Sequence, residues 1–119
     1  MTRTASKESP VRIETYSRGP YQILRINGGN SITDLSELRD LVSHYLDKGK
    51  RKVAVSFSSA SYIFSGALKV LIDCYNKIAD LGGDLCIIEP NPSLFDTLEM
   101  LNIDRVIGIY VSEDYLPDK

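Results

Sequence analysis

Two periods alternate along the chain. "VRIETY", Val11 to Tyr16, switches between apolar and polar at every residue, which is the period of a half-buried strand. "SRGP" is turn chemistry, and "YQILRI", Tyr21 to Ile26, reads as a second strand paired to the first in a hairpin. After "NGGNS" the period changes. Leu35, Leu38, Leu41, Val42, Tyr45 and Leu46 recur at helical spacing, with Asp34 and Glu37 spaced as a capping box and Gly49 as a stop. "KVAVSF", Lys52 to Phe57, is apolar enough to be a buried parallel strand. Ala67, Leu68, Leu71, Ile72, Tyr75, Ile78, Ala79 and Leu81 predict a second helix, ended by Gly82-Gly83. "DLCIIE" is the next strand. "PNPS" is a turn with Ser93 as helix cap, Leu94 to about Leu101 is a third helix, and "RVIGIYVS", Arg105 to Ser112, is the last strand.

The predicted order is β-β-α-β-α-β-α-β. Strands joined through helices pair in parallel, so the expected fold is one α/β domain with a mixed, mostly parallel sheet and helices packed against it. Residues 1–9 read as a disordered polar tail and residues 10–119 as the domain.

Composition narrows the function. The chain has 119 residues, enough for a core without metal or disulfides, and a net charge of −2. That balance excludes a typical nucleic-acid protein. The one basic run, Lys48 to Lys52, reads as a solvated helix end. No apolar stretch approaches the ~20 residues of a membrane helix, so no membrane insertion is expected. Cys74 and Cys86 lie in apolar runs and read as buried free thiols, which suits a reducing cytoplasm.

Chemistry is sparse. His44 is the sole histidine, there is no Gly-x-Ser-x-Gly elbow, and neither glycine pair belongs to a phosphate-binding loop. Asp34, Glu37 and Asp40 sit where carboxylates favour a helix start. No enzyme, metal or cofactor is expected. One stretch stands out: "SSASYIFSGALK", where a strand hands over to the second helix at Ser65-Gly66. A hydroxyl there can cap an orphan amide. The same place tolerates a phosphate, whose charge suits the positive helix end. Both readings stay open on the residues alone.

These segments, in this order, resemble the STAS domain, shared by anti-sigma factor antagonists and sulfate-transporter tails. "VAVSFSSASYIFSGALKVLIDCYNKIADLGGDLCIIEPNPSLFDTL" is similar to the family's strand, Asp-Ser-Ser/Thr-Gly-Leu-Gly loop, helix, Gly-Gly and strand. "LEMLNIDRVIGIYVSEDYL" is similar to its ending, and "ILRINGGNSITDLSELRDLV" to its strand, loop and first helix. The resemblance implies a non-enzymatic regulatory module. Its partner would be an anti-sigma factor, a serine kinase of histidine-kinase-like ATPase type, or a phosphatase, and a homodimer is left open. Ser65 falls on the family's phospho-acceptor with or without a one-residue gap, and without one Phe64 replaces the loop aspartate. Ser61, Tyr62, Phe64, Ser65, Gly66 and Lys69 are the implied contact residues. The altered loop keeps a rival reading open, a scaffold or adaptor subunit without a phospho-switch.

Overall fold

A computed structural model describes residues 12–27, 31–58 and 60–117. Strands β1 (Arg12–Arg18) and β2 (Tyr21–Asn27) form the expected antiparallel hairpin, closed between Arg18 and Tyr21 by Gly19-Pro20. Gly19 has φ +57°, a conformation that glycine adopts without steric penalty. Next come β3 (Ser31–Ile32), α1 (Ser36–Asp47), β4 (Lys52–Ser56), β5 (Tyr62–Ile63), α2 (Ser65–Asp80), β6 (Asp84–Ile88), α3 (Pro92–Met100) and β7 (Gly108–Tyr110). The main sheet has the order β1-β2-β4-β6-β7, parallel except for the hairpin. The fold class read from the sequence is therefore the observed one. The tail expected over residues 1–9 and the glycine pair Gly28-Gly29 lie outside the described residues.

The sheet buries both faces of its central strands. Leu24, Val53, Val55, Phe57, Leu85 and Ile87 pack against Leu38 and Val42 of α1, Leu71, Cys74 and Ile78 of α2, and Leu94 and Leu98 of α3. All three helices thus lie on one side, and each fully buried leucine or isoleucine there contributes about 1.5–3 kcal/mol. The opposite face carries a smaller cluster of Tyr21, Ile23, Ala54, Cys86 and Ile88. Among the described residues no α-helix contributes to it; Leu116, from the C-terminal turn, does.

Four local expectations need correction. The capping box does not form: Leu35 is the N-cap of α1, and Asp34 Oδ1 instead accepts from the amide and hydroxyl of Ser36 at 2.9 and 2.8 Å. Ser93 does not cap α3. Asn91 does, accepting from the Ser93 amide at 2.9 Å, with Pro92 supplying a preset φ at the first helical position. The last strand is three residues long because Ile103–Arg105 winds into a 3-10 turn after Asn102 takes a left-handed φ of 63°. Backbone bonds then hold Val106 and Ile107 back to Ile103. The fourth correction is an addition, the β3–β5 ladder, whose two-residue strands are too short to show a period.

Candidate protein-interaction site

The stretch around Ser65 is fixed from both sides. Behind it, β4 runs into buried Phe57, and the Ala60 amide donates to the Phe57 carbonyl at 3.1 Å, turning the chain. β5 then pairs in parallel with β3, Ser31 opposite Tyr62 and Ile32 opposite Ile63. The Phe64 amide extends the ladder by donating to the Ile32 carbonyl at 2.9 Å. Strand alternation sends Ile63 into the core and leaves Tyr62 and Phe64 outside, 47% and 46% exposed. Their rings meet edge to face, 5.0 Å apart at 89°, a favoured arrangement for aromatic pairs. Ahead of Ser65, Ala67 and Leu71 anchor α2 in the core.

Ser65 is the first residue of α2, as expected, and it is exposed. Its hydroxyl does not cap the helix: the N-cap is Phe64, extended at φ −76°, ψ 155°, with no side-chain capping bond. Among the described residues the Ser65 hydroxyl has no hydrogen-bond partner. The capping reading of Ser65 is therefore corrected, because a residue one position inside the helix points away from the amides a cap would serve. Gly66 is exposed, and a β-carbon added there would meet nothing within 4 Å. Lys69, one turn on, is 76% exposed and pairs with Asp73 at 3.5 Å. Such an exposed pair contributes little. Ser61 is half-buried at the start of the stretch. The fold thus brings together Tyr62, Phe64, Ser65, Gly66 and Lys69 around one helix start. They form a surface of aromatic rings and one free hydroxyl with no acidic side chain in the first helical turn.

The open space at Gly66 carries an expectation. Gly66→Ala removes glycine's backbone freedom from a helix without a clash, so stability should rise by about 0.4–1 kcal/mol. A thermal melt checks this, and a fall in Tm would place Gly66 against a neighbour.

Other candidate chemistry is not assembled. His44 is exposed at the end of α1, edge-on to Tyr45 at 5.2 Å. Burial pushes the Cys74 thiol up to about 11 and the Cys86 thiol up to about 12, so neither is a thiolate nucleophile near neutral pH. Among the described residues no group of three His, Cys, Asp or Glu is placed to hold a metal, and no helix is long and apolar enough to cross a membrane.

The STAS domain model matches residues 12–115, so the chain belongs to the STAS domain family. It is 30% identical over 66 residues to the "Putative anti-sigma factor antagonist" of Thermotoga maritima, an alignment covering 56% of this chain. The chain spans 58% of that relative's length. An anti-sigma factor antagonist from Mycobacterium paratuberculosis shares the fold, with a TM-score of 0.72 at 15% identity over 87% of this chain and 88% of that one. The Bacillus cell fate determinant SpoIIAA, in its phosphorylated form, matches with a TM-score of 0.64 at 11% identity over 87% of this chain and 93% of that one.

Proposed function

We propose that the chain is a non-enzymatic regulatory module that binds an anti-sigma factor or a related serine kinase of the histidine-kinase-like ATPase type. The contact surface is Ser61, Tyr62, Phe64, Ser65, Gly66 and Lys69. The observation that carries this reading is the pair of half-exposed aromatic rings held on a hydrogen-bonded turn beside an exposed hydroxyl with no bond partner among the described residues. Exposed aromatics fixed by backbone bonds lose little conformational freedom when a partner covers them, and such anchors dominate binding energy. The family resemblance supports Ser65 as the phospho-acceptor, and its exposure leaves the hydroxyl open to a kinase.

A second reading has its own support. Phe64 puts a ring where the family loop carries an aspartate, which suits a scaffold or adaptor subunit whose contact is permanent and unphosphorylated. Calorimetry against the cognate anti-sigma factor tests the shared core of both readings. Tyr62→Ala and Phe64→Ala should each weaken binding about tenfold or more, while the free protein, losing one edge-to-face contact and half-buried ring area, stays folded with stability lowered by about 1–2 kcal/mol. Unchanged affinity in both variants would remove this surface from the interface. Intact mass after incubation with the cognate kinase and ATP separates the two readings: one added phosphate on wild type, absent from Ser65→Ala, favours the switch, and none favours the scaffold.

A further inference from the structure

Among the described residues, the second face of the sheet is covered by the part-buried rings of Tyr16 and Tyr110 and by one short C-terminal turn. Residues 112–116 form one 3-10 turn, in which the Ser112 hydroxyl accepts from the Asp114 amide at 3.3 Å. The turn sets Leu116, 3% exposed, into the cluster of Tyr21, Ile23, Ala54, Cys86 and Ile88. So short a turn cannot hold itself in place. Its attachment to the sheet is Glu113, whose side chain is 12% exposed. That carboxylate accepts from the Tyr16 hydroxyl and from Arg18 Nη1 at 3.0 Å, and lies 3.8 Å from Arg25 Nη2. Asp114 takes the other Arg18 nitrogen at 2.6 Å. Arg25 Nη2 also donates to the Tyr16 hydroxyl at 3.1 Å and stands 3.9 Å from Glu89, which accepts from the Ser56 hydroxyl at 3.0 Å. Burial raises the affinity of Glu113 for a proton, but Tyr16, Arg18 and Arg25 outweigh it and hold the carboxyl below the usual glutamate range.

We propose that residues 112–116 are a detachable strap, latched by Glu113, whose release uncovers the apolar strip around Cys86 while the helical side of the sheet stays folded. Among the described residues the strap is bound by the part-buried Glu113 carboxylate, by Asp114 in its exposed ion pair with Arg18, and by Leu116, all three near the end of the described chain. The helical side has its own, larger cluster, drawn from all three helices, to which the strap adds no buried residue. Segments joined to a core by so few contacts open at free energies well below global unfolding. The strap does not depend on the partner surface proposed for α2. Its network of hydrogen bonds and ion pairs does reach Ser56, the last residue of β4 before the candidate loop, through the 3.9 Å Arg25–Glu89 pair.

The two cysteines report on it from opposite faces. Cys86 belongs to the cluster under the strap and Cys74 to the helical core. The full chain is treated with a maleimide at pH 8, and the labelled thiols are resolved by peptide mass. Glu113→Gln should raise the Cys86 labelling rate about tenfold, because charge-assisted bonds are lost from the latch, and leave the Cys74 rate unchanged. Leu116→Ala should do the same. A Cys86 rate that stays at wild type, or a Cys74 rate that rises in step with it, overturns the strap. Should Glu113→Gln not fold, the wild type decides in urea below its unfolding transition. Cys86 labelling should depend on urea less steeply than Cys74 labelling, since a strap exposes less surface than global unfolding, and equal slopes overturn the proposal.

Discussion

Gly83→Ala destabilises the protein by about 3 kcal/mol and lowers Tm by roughly 10 °C. The added methyl would stand 2.2 Å from the Arg51 carbonyl oxygen and 2.9 Å from Ile78 Cγ2. Neither neighbour has room to move. The Arg51 carbonyl receives the Asp84 amide at 2.8 Å, the bond that starts β6 beside β4, and Ile78 of α2 is fully buried in the core. The Gly83 amide itself donates to the Ile78 carbonyl at 3.0 Å, so the turn cannot swing outward without losing a backbone bond. Gly82 is the control. A β-carbon there meets nothing within 4 Å, but φ is +81°, so Gly82→Ala costs about 1–2 kcal/mol through backbone strain alone. Thermal melts of both variants check the ranking. A Gly83→Ala protein melting within a degree or two of wild type would mean that α2 does not seat on the sheet as described.

If the proposed partner is an anti-sigma factor, Ser65→Asp weakens binding to it tenfold or more and leaves the fold intact. The hydroxyl has no partner among the described residues, so no bond is lost on substitution. The new carboxylate lies in the first turn of α2, where the helix dipole favours it by about 0.3–1 kcal/mol and no acidic side chain competes. In a complex the same charge must be stripped of water beside two aromatic rings, which opposes binding. Ser65→Ala keeps both stability and affinity. This pair separates a switch from a helix cap: a cap would give the opposite pattern, a loss of stability in the alanine variant and unchanged binding in the aspartate variant. Equal affinity for Ser65→Asp and wild type would sink the switch.

Long, periodic elements were legible in the sequence, and their junctions were not. The alternation in β1 and the leucine spacing in α1 and α2 are repeated signals, so strands and helices fall where they are predicted. The ladder between Ile32 and Ile63 carries no repeat, yet it is what aims Tyr62 and Phe64 outward. Ser93 and Asn91 are both good caps in isolation; the choice between them follows from Pro92, which is best placed at the first helical position. The strand-to-helix change in the sequence marks Ser65 as the start of α2, but that its hydroxyl makes no capping bond follows from Phe64 occupying the cap. The latch at Glu113 joins residues 97 positions apart through Tyr16, a separation at which no local pattern speaks.

The most direct test of the proposed interface is amide hydrogen exchange of the full chain, alone and saturated with the anti-sigma factor proposed as its partner. Residues 61–69 should gain protection on binding, while α1 and the exposed edge strand β1 exchange as in the free protein. Binding with protection confined to other elements, and none across Tyr62 to Lys69, would contradict the assignment of this surface.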